Sequence, residues 1–148
     1  ALQPLGKYML AATFGNVHGI YKPGNVKLTP EILKNGQTAV QEKHSTEDNP
    51  LFLVFHGGSG SPKDQIAETL DYGVIKMNVD TDTQYSFTEP VAKHVLEHQG
   101  VLFHTDDQVA EKKRFDPRKY LALGRIGLKD RVIEAVKDLN GEGKSLLK

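Results

Sequence analysis

The strongest constraint on the fold is an apolar run that leads through a histidine into a glycine-rich turn, Leu51–Ser61 (LFLVFHGGSGS). Five consecutive apolar residues bounded by turn residues are typical of a strand buried on both faces, as in a parallel sheet. His56 follows at the carboxyl end of this strand, where α/β sheets and barrels bind their ligands. The glycines after it let backbone N–H groups approach a ligand oxygen. The stretch therefore predicts an anion site beside a metal-capable imidazole, although many such turns are glycine-rich for steric reasons alone.

Strands and helices alternate three times along the chain. Two further strands are predicted at Tyr8–Phe14 and Val74–Val79. The predicted helices run from the cap Thr29 to about His44, from the cap Ser61 through Lys63–Tyr72, from Gln84 to about His98, and from Phe115–Arg118 to about Asn140, with a loop over Gly100–Lys113. Their predicted inward-facing residues are Ile32, Leu33, Val40, Ile66, Ala67, Leu70, Leu121, Leu123, Ile126, Val132, Ile133 and Val136.

This alternation predicts an α/β fold of βα units with a parallel sheet. A closed barrel of eight such units needs about 250 residues. We therefore expect residues 1–148 to form a single domain that is either a small open sheet or part of a barrel. The chain begins at Ala1 without an initiating methionine, which suggests a piece of a longer protein.

The charge balance and the absence of cysteine narrow the function classes. The 19 basic and 19 acidic residues give a formal net charge of zero, so neither a nucleic acid nor a membrane surface is indicated as a partner. No apolar run reaches membrane-spanning length, and no signal-peptide pattern is present. Without cysteine, only His, Asp and Glu are candidate metal ligands. A soluble cytoplasmic protein is expected.

Polar residues follow all three predicted strands. His18-Gly19 follows the first strand, His56-Gly57 the second, and Asn78 lies at the end of the third. Parallel strands bring these ends to one rim, where two imidazoles could share a divalent metal such as zinc. The alternative is that each histidine bonds a loop carbonyl. A catalytic zinc usually has three protein ligands, and the chain offers two good ones.

The same rim carries groups suited to a phosphate. Ser59 and Thr81, with the backbone N–H groups of Gly19 and Gly57, could hold a phosphate there, as loops of α/β barrels often do. They could equally be caps and turn residues, and Asn78 could bond a substrate oxygen or close the turn.

One competing metal motif lies elsewhere. His94–His98 (HVLEH) matches the H-x-x-E-H pattern of inverted zinc peptidases and would place both imidazoles on one helix face. No downstream helix offers a convincing carboxylate ligand, so a solvated helix face is the preferred interpretation.

Four motifs resemble those of the class II fructose-1,6-bisphosphate aldolases, in the order and spacing of that family. They are Phe14–Leu28 (FGNVHGIYKPGNVKL), His56–Ser61 (HGGSGS), Lys76–Gln84 (KMNVDTDTQ) and Phe115–Arg118 (FDPR). The resemblance covers nearly the whole chain and is weakest between about Glu97 and Glu111. The first motif alone is long and idiosyncratic.

The resemblance implies a zinc-dependent TIM (β/α)8 barrel, of which this chain is the C-terminal part, about strands six to eight. The family reversibly cleaves fructose 1,6-bisphosphate into dihydroxyacetone phosphate and glyceraldehyde 3-phosphate, a reaction of glycolysis and gluconeogenesis. Zinc acts as a Lewis acid that stabilises the enediolate, so no Schiff-base lysine is needed. By motif match, His18 and His56 would be zinc ligands.

The same match assigns the remaining site residues. The phosphate of the dihydroxyacetone half would be held by Gly19, Gly57, Ser59, Asp80 and Thr81. Asn78 would be the catalytic residue that contacts the enediolate. Backbone around Val17, Gly19 and Gly57 would help seat a monovalent cation, Na⁺ or K⁺. Arg118 would reach the other substrate phosphate across a homodimer interface.

The resemblance also implies what this chain lacks. The family's third zinc histidine, its proton-transferring aspartate and a mobile-loop glutamate belong to upstream segments, so the N-terminal half would be required for activity. Two alternatives stay open. One is a tagatose-bisphosphate aldolase of the same family, and the other is a non-catalytic fragment that is inactive without the N-terminal half.

Overall fold

Three parallel strands form a sheet in the part of the chain that the structure describes. The computed structural model describes residues 8–16, 27–104 and 111–145. The strands β1 (Met9–Ala11), β2 (Phe52–Phe55) and β3 (Val74–Met77) lie in the order β1-β2-β3, and both pairings are parallel. Helix α1 (Glu31–His44) connects β1 to β2, and α2 (Lys63–Asp71) connects β2 to β3. The predicted βα alternation with a parallel sheet is confirmed.

Among the described residues, four helices follow the sheet. They are α3 (Thr81–Glu97), α4 (Gln99–Leu102), α5 (Lys112–Phe115) and α6 (Pro117–Asp138). The chain divides into two compact units, one with residues up to Asp80 together with those from Asp138 onward, and one comprising Thr81–Lys137. The described helices include none long and apolar enough to cross a membrane.

The core of the first unit lies between the sheet and its two connecting helices. Its buried apolar side chains are Phe14, Leu28, Leu33, Leu53, Phe55, Ile66 and Val74. The rings of Phe14 and Phe55 meet edge to face with 4.8 Å between centroids, a favourable aromatic geometry. Three of the four residues of β2 are buried, which confirms the prediction of a central strand covered on both faces.

A buried glutamine joins α1 to the sheet. Gln37 is 4% exposed, and its Nε2 donates to the carbonyls of Leu51 (2.9 Å) and Tyr72 (3.0 Å). Its Oε1 accepts from the backbone N–H of Leu51 (2.9 Å). Because every hydrogen bond satisfies a backbone group beside β2 or β3, this side chain fixes α1 against the start of both strands.

The predicted helix caps are wrong by one residue. The caps of α1 and α2 are Pro30 and Pro62, not Thr29 and Ser61, and neither helix has a side-chain cap hydrogen bond. The backbone carbonyl of Thr29 instead accepts from the N–H of Ile32 (3.1 Å), so a short backbone turn opens α1.

Other predicted boundaries also shift. The strands β1 and β3 are shorter than predicted, and α3 begins at Thr81 rather than at Gln84. Pro90 lies inside α3 and does not end it. The predicted loop over Gly100–Lys113 contains most of α4 and the start of α5, with residues 105–110 outside the described part.

Several predicted inward-facing residues are exposed. In α1 Ile32 is 48% exposed, and in α2 Ala67 is exposed while Thr69 takes the buried position. The six apolar residues assigned to the closing helix α6 are all at least 40% exposed; they are Leu121, Leu123, Ile126, Val132, Ile133 and Val136. These side chains lie on more than one side of α6, so no single neighbour within the described chain buries them.

Candidate functional site

A one-residue shift in the sheet register aligns the two polar residues that follow β2 and β3. Leu53 pairs with Val74, but Val54 pairs with Lys76 and Phe55 with Met77, so Ile75 is an extra residue on β3. The next residues along the two strands are His56 and Asn78. Neighbouring parallel strands in this register present them on the same side of the sheet.

The side chains of His56 and Asn78 meet directly. Nδ2 of Asn78 lies 2.8 Å from Nδ1 of His56, and Oδ1 of Asn78 accepts from the ammonium group of Lys76 at 2.7 Å. The backbone of Asn78 is also fixed, because its N–H donates to the carbonyl of Phe55 and its carbonyl accepts from the N–H of Gly58, both at 2.9 Å. The structure thus brings together two predicted site residues and a lysine.

A second carboxamide supports the histidine from the side of β1. Nδ2 of Asn16 donates to the carbonyl of His56 at 2.8 Å, and its Oδ1 accepts from the N–H of Phe14 at 2.9 Å. Asn16 therefore links the segment after β1 to the end of β2.

Two glycines shape the turn after His56. Gly57 has φ +67°, a left-handed conformation that favours glycine. Gly58 lies so close to β3 that a Cβ there would clash with the side chain of Met77. Beyond them, Oγ of Ser59 accepts from the backbone N–H of Asp80 at 3.3 Å. Ser59 and Asp80, both predicted phosphate residues, thus lie together.

Three predicted site residues lie outside the described part of the chain. They are Val17, His18 and Gly19, since the description resumes at Lys27. Across the described ranges, no three His, Cys, Asp or Glu side chains lie close enough to hold a metal ion. His56 nonetheless has the chemistry of a ligand, because a neutral imidazole is a common ligand of divalent metals.

The second unit holds the other two predicted residues. Thr81 is the first residue of α3. Arg118, in the first turn of α6, has a 79% exposed side chain, and its Nε and Nη2 donate to the carboxylate of Asp116 at distances from 2.6 to 3.2 Å. These hydrogen bonds lower the pKa of Asp116 to about 2 and raise the pKa of Arg118. The guanidinium is therefore held in a fixed orientation at the surface.

The competing histidine pair is engaged in other contacts. The rings of His94 and His98 stack with 4.4 Å between centroids. A ring nitrogen of His94 lies 2.7 Å from the carbonyl of Arg114, and one of His98 lies 2.9 Å from the carbonyl of His94. Both rings are partly buried rather than fully solvated, and they hydrogen-bond backbone instead of converging on a shared third ligand.

Sequence reasoning missed three residues that support the site. Asn16, Lys76 and Asp116 all lie in the motifs, but the sequence patterns give none of them a role at the site. A signal existed for Lys76, because residues two apart on a strand share a face. For Asn16 the partner is a backbone carbonyl 40 residues away, which no local pattern marks.

Comparisons with known proteins agree with the geometry. The family model "Fructose-bisphosphate aldolase class-II" matches residues 1–144. The fructose-bisphosphate aldolase of Corynebacterium glutamicum is 52% identical over 145 residues, which are 97% of this chain and 42% of that protein. The one of Mycobacterium leprae is 54% identical over 143 residues, 95% of this chain and 41% of that protein.

A solved structure is also similar. The crystal structure of fructose-bisphosphate aldolase from Campylobacter jejuni matches with a TM-score of 0.79 and 45% identity, covering 93% of this chain and 41% of that one. The chain thus spans about two fifths of the length of these relatives, and its three parallel strands are consistent with part of a barrel. The match over residues 1–144, together with this similarity, shows that the chain belongs to the class II fructose-bisphosphate aldolase family.

Proposed function

We propose that this chain is the C-terminal part of a (β/α)8 barrel domain, about strands six to eight, and that the complete protein is an aldolase. Its reaction would be the reversible cleavage of fructose 1,6-bisphosphate into dihydroxyacetone phosphate and glyceraldehyde 3-phosphate. The observation that carries this proposal is the contact between His56 and Asn78 at the ends of adjacent parallel strands. A cytoplasmic location stays a prediction.

The metal site would combine residues of this chain with one from upstream. His18 and His56 would hold a zinc ion, with a third histidine from the N-terminal half. When bound, zinc supplies Lewis-acid polarisation of the substrate ketone oxygen. His56 supports this proposal, because its imidazole follows the carboxyl end of β2 and lies beside Asn78.

The role of Asn78 follows from where charge develops. Cleavage of the bond beside the ketone leaves an electron pair on the dihydroxyacetone half, delocalised onto the former carbonyl oxygen. An amide N–H directed at that oxygen stabilises the charge as it forms. Nδ2 of Asn78 is such a donor, and it lies on the same side of the sheet as His56.

The phosphate of the dihydroxyacetone half would be held at the turn after His56. Gly19, Gly57, Ser59, Asp80 and Thr81 are the proposed ligands, through backbone N–H groups and the two hydroxyls. The contact between Ser59 and the N–H of Asp80 supports this, because it brings two of the donors to one place. Backbone around Val17, Gly19 and Gly57 would seat a monovalent cation, Na⁺ or K⁺.

Arg118 would bind the second substrate phosphate in the partner subunit of a homodimer. Its planar guanidinium suits a phosphate, and its exposed side chain is oriented by Asp116. The donor atoms not directed at Asp116 remain on the solvent side, where a partner subunit could approach.

The test is metal removal from the complete protein. We expect chelation to abolish aldol cleavage and added Zn²⁺ to restore it, with metal analysis giving one zinc per site. His56→Ala should lose both activity and zinc, whereas His44→Ala, at an exposed position of α1, should keep both. Full activity in a verified metal-free preparation would refute the proposal.

A second arm tests the need for the N-terminal half. Residues 1–148 alone should not cleave fructose 1,6-bisphosphate, and co-expression with the missing half should restore cleavage. Activity of the 148-residue chain by itself would contradict the incomplete-barrel interpretation.

A further inference from the structure

We propose that Lys76 is a positioning residue that fixes which end of the Asn78 carboxamide faces the reacting atoms. This inference rests on the proposed role of Asn78 in the reaction. It assigns a function to a lysine that the aldol chemistry does not itself require.

The chemistry of the donor decides the orientation of the amide. Lys76 and Asn78 are two residues apart along β3, and Nζ of Lys76 lies 2.7 Å from Oδ1 of Asn78. An ammonium group has three donors and no acceptor, so only the oxygen end of the amide can face it at this distance. A rotated amide would place its NH₂ group against the ammonium and lose the hydrogen bond.

The other neighbour of Asn78 is compatible with the same orientation but cannot enforce it. With Oδ1 held by Lys76, Nδ2 lies 2.8 Å from Nδ1 of His56. An imidazole nitrogen either donates or accepts, depending on the tautomer, so His56 would tolerate either end of the amide. Lys76 is therefore the residue that decides which of the two amide orientations Asn78 adopts.

The backbone of Asn78 leaves only its side chain free to rotate. Its N–H and carbonyl are hydrogen-bonded to Phe55 and Gly58 at 2.9 Å each. Replacing the lysine, which lies on an exposed strand position, leaves these bonds in place. The expected consequence is a folded protein in which the Asn78 amide samples both orientations, one of which directs an oxygen at the developing anion.

The test uses the complete zinc-loaded protein and the variants Lys76→Met, Lys76→Arg and Asn78→Ala. Lys76→Met should lower kcat about 10- to 100-fold with little change in KM, because the lost interaction strengthens only as charge develops. Lys76→Arg keeps a cationic donor and should restore most of kcat. Thermal unfolding of each variant should match wild type within a few degrees.

A double variant separates positioning from a direct charge effect. If Lys76 acts through Asn78, Lys76→Met combined with Asn78→Ala should have the kcat of Asn78→Ala alone. Effects that multiply would overturn the inference, as would a wild-type kcat in Lys76→Met. In both cases an active wild type and an impaired Asn78→Ala would leave the proposed function standing.

Nuclear magnetic resonance gives a readout that does not depend on activity. In the wild type the Asn78 side-chain NH₂ protons should show through-space contacts to the His56 ring, and in Lys76→Met these contacts should weaken. Unchanged contacts would overturn the inference even if the protein proved not to be an aldolase.

Discussion

The carboxylate of Asp116 performs two tasks at the start of α6. Its Oδ1 accepts from the backbone N–H of Arg118 at 3.0 Å, which caps the helix, while Pro117 occupies the first helical position. Both carboxylate oxygens also bond the guanidinium of Arg118. One side chain therefore begins the helix and orients the residue proposed to bind a phosphate.

The pKa of Asp116 predicts an acid-sensitive contribution to stability. Its pKa falls from 3.8 to about 2 in the folded protein, chiefly through the side-chain hydrogen bonds from Arg118. Because the folded pKa lies below the unfolded one, the stabilisation is present above about pH 4 and is lost as the pH falls toward 2. We expect Asp116→Asn, which can still cap the helix, to lack this pH-dependent part.

The measurement is thermal unfolding of wild type and Asp116→Asn between pH 2 and 7. The difference between the two melting temperatures should be largest near neutral pH and shrink below pH 4. A constant difference across the whole range would show that the pair with Arg118 does not contribute.

For single residues, the sequence predicts the site correctly where a polar residue directly follows an apolar strand. His56 and Asn78 were predicted to share a rim because both follow apolar strands, and they are in contact. Lys76 and Asn16 were missed because their roles depend on a partner's orientation or on a distant carbonyl.

At the scale of elements, the strand register was the feature the sequence could not provide. The three strands and their parallel pairing follow from apolar runs separated by helical segments. The extra residue at Ile75 leaves no mark in a pattern of period two, yet without it His56 would align with Met77 instead of Asn78.

The prediction that six apolar residues of α6 face inward is wrong for a different reason. The apolar residues of this helix lie on several sides and do not define one buried face.

Two glycines let α6 approach α3 closely. A Cβ at Gly124 would lie 2.7 Å from the carbonyl oxygen of Phe87, and one at Gly127 would clash with the carbonyl oxygen of Ser86. Ser86 is the residue four before Pro90, which has no N–H to donate to that carbonyl. The small residues on α6 therefore fit against the proline-containing part of α3.

This packing predicts opposite effects for two glycine-to-alanine changes within helices. Gly127→Ala should destabilise the protein by about 1–3 kcal/mol, since the backbone it meets cannot easily move. Gly36→Ala in α1, where no atom lies within 4 Å of the new Cβ, should stabilise it by up to about 1 kcal/mol through helix propensity. Urea unfolding measures both. Equal shifts in the same direction would contradict the packing argument.

At the scale of the whole molecule, the described chain exposes many large apolar side chains. They occur on β1 and β3, where Met9 is 56% and Ile75 is 58% exposed, and along α6. Ile126 and Ile133 are seven residues apart and lie on the same side of α6, with 51% and 46% exposure. Large apolar side chains that are exposed on one side of a helix are typical of an interface. We infer that the rest of the complete protein covers at least part of it.

The last prediction tests whether that surface is covered. Residues 1–148 alone should bind an apolar fluorescent dye more strongly, per chain, than the complete protein. Ile126→Lys combined with Ile133→Lys should reduce dye binding by the isolated chain but destabilise the complete protein by about 1.5–3 kcal/mol for each buried side chain. An unaltered melting temperature for the double variant would show that this side of α6 faces solvent in the complete protein, because burying two lysines could not leave its stability unchanged.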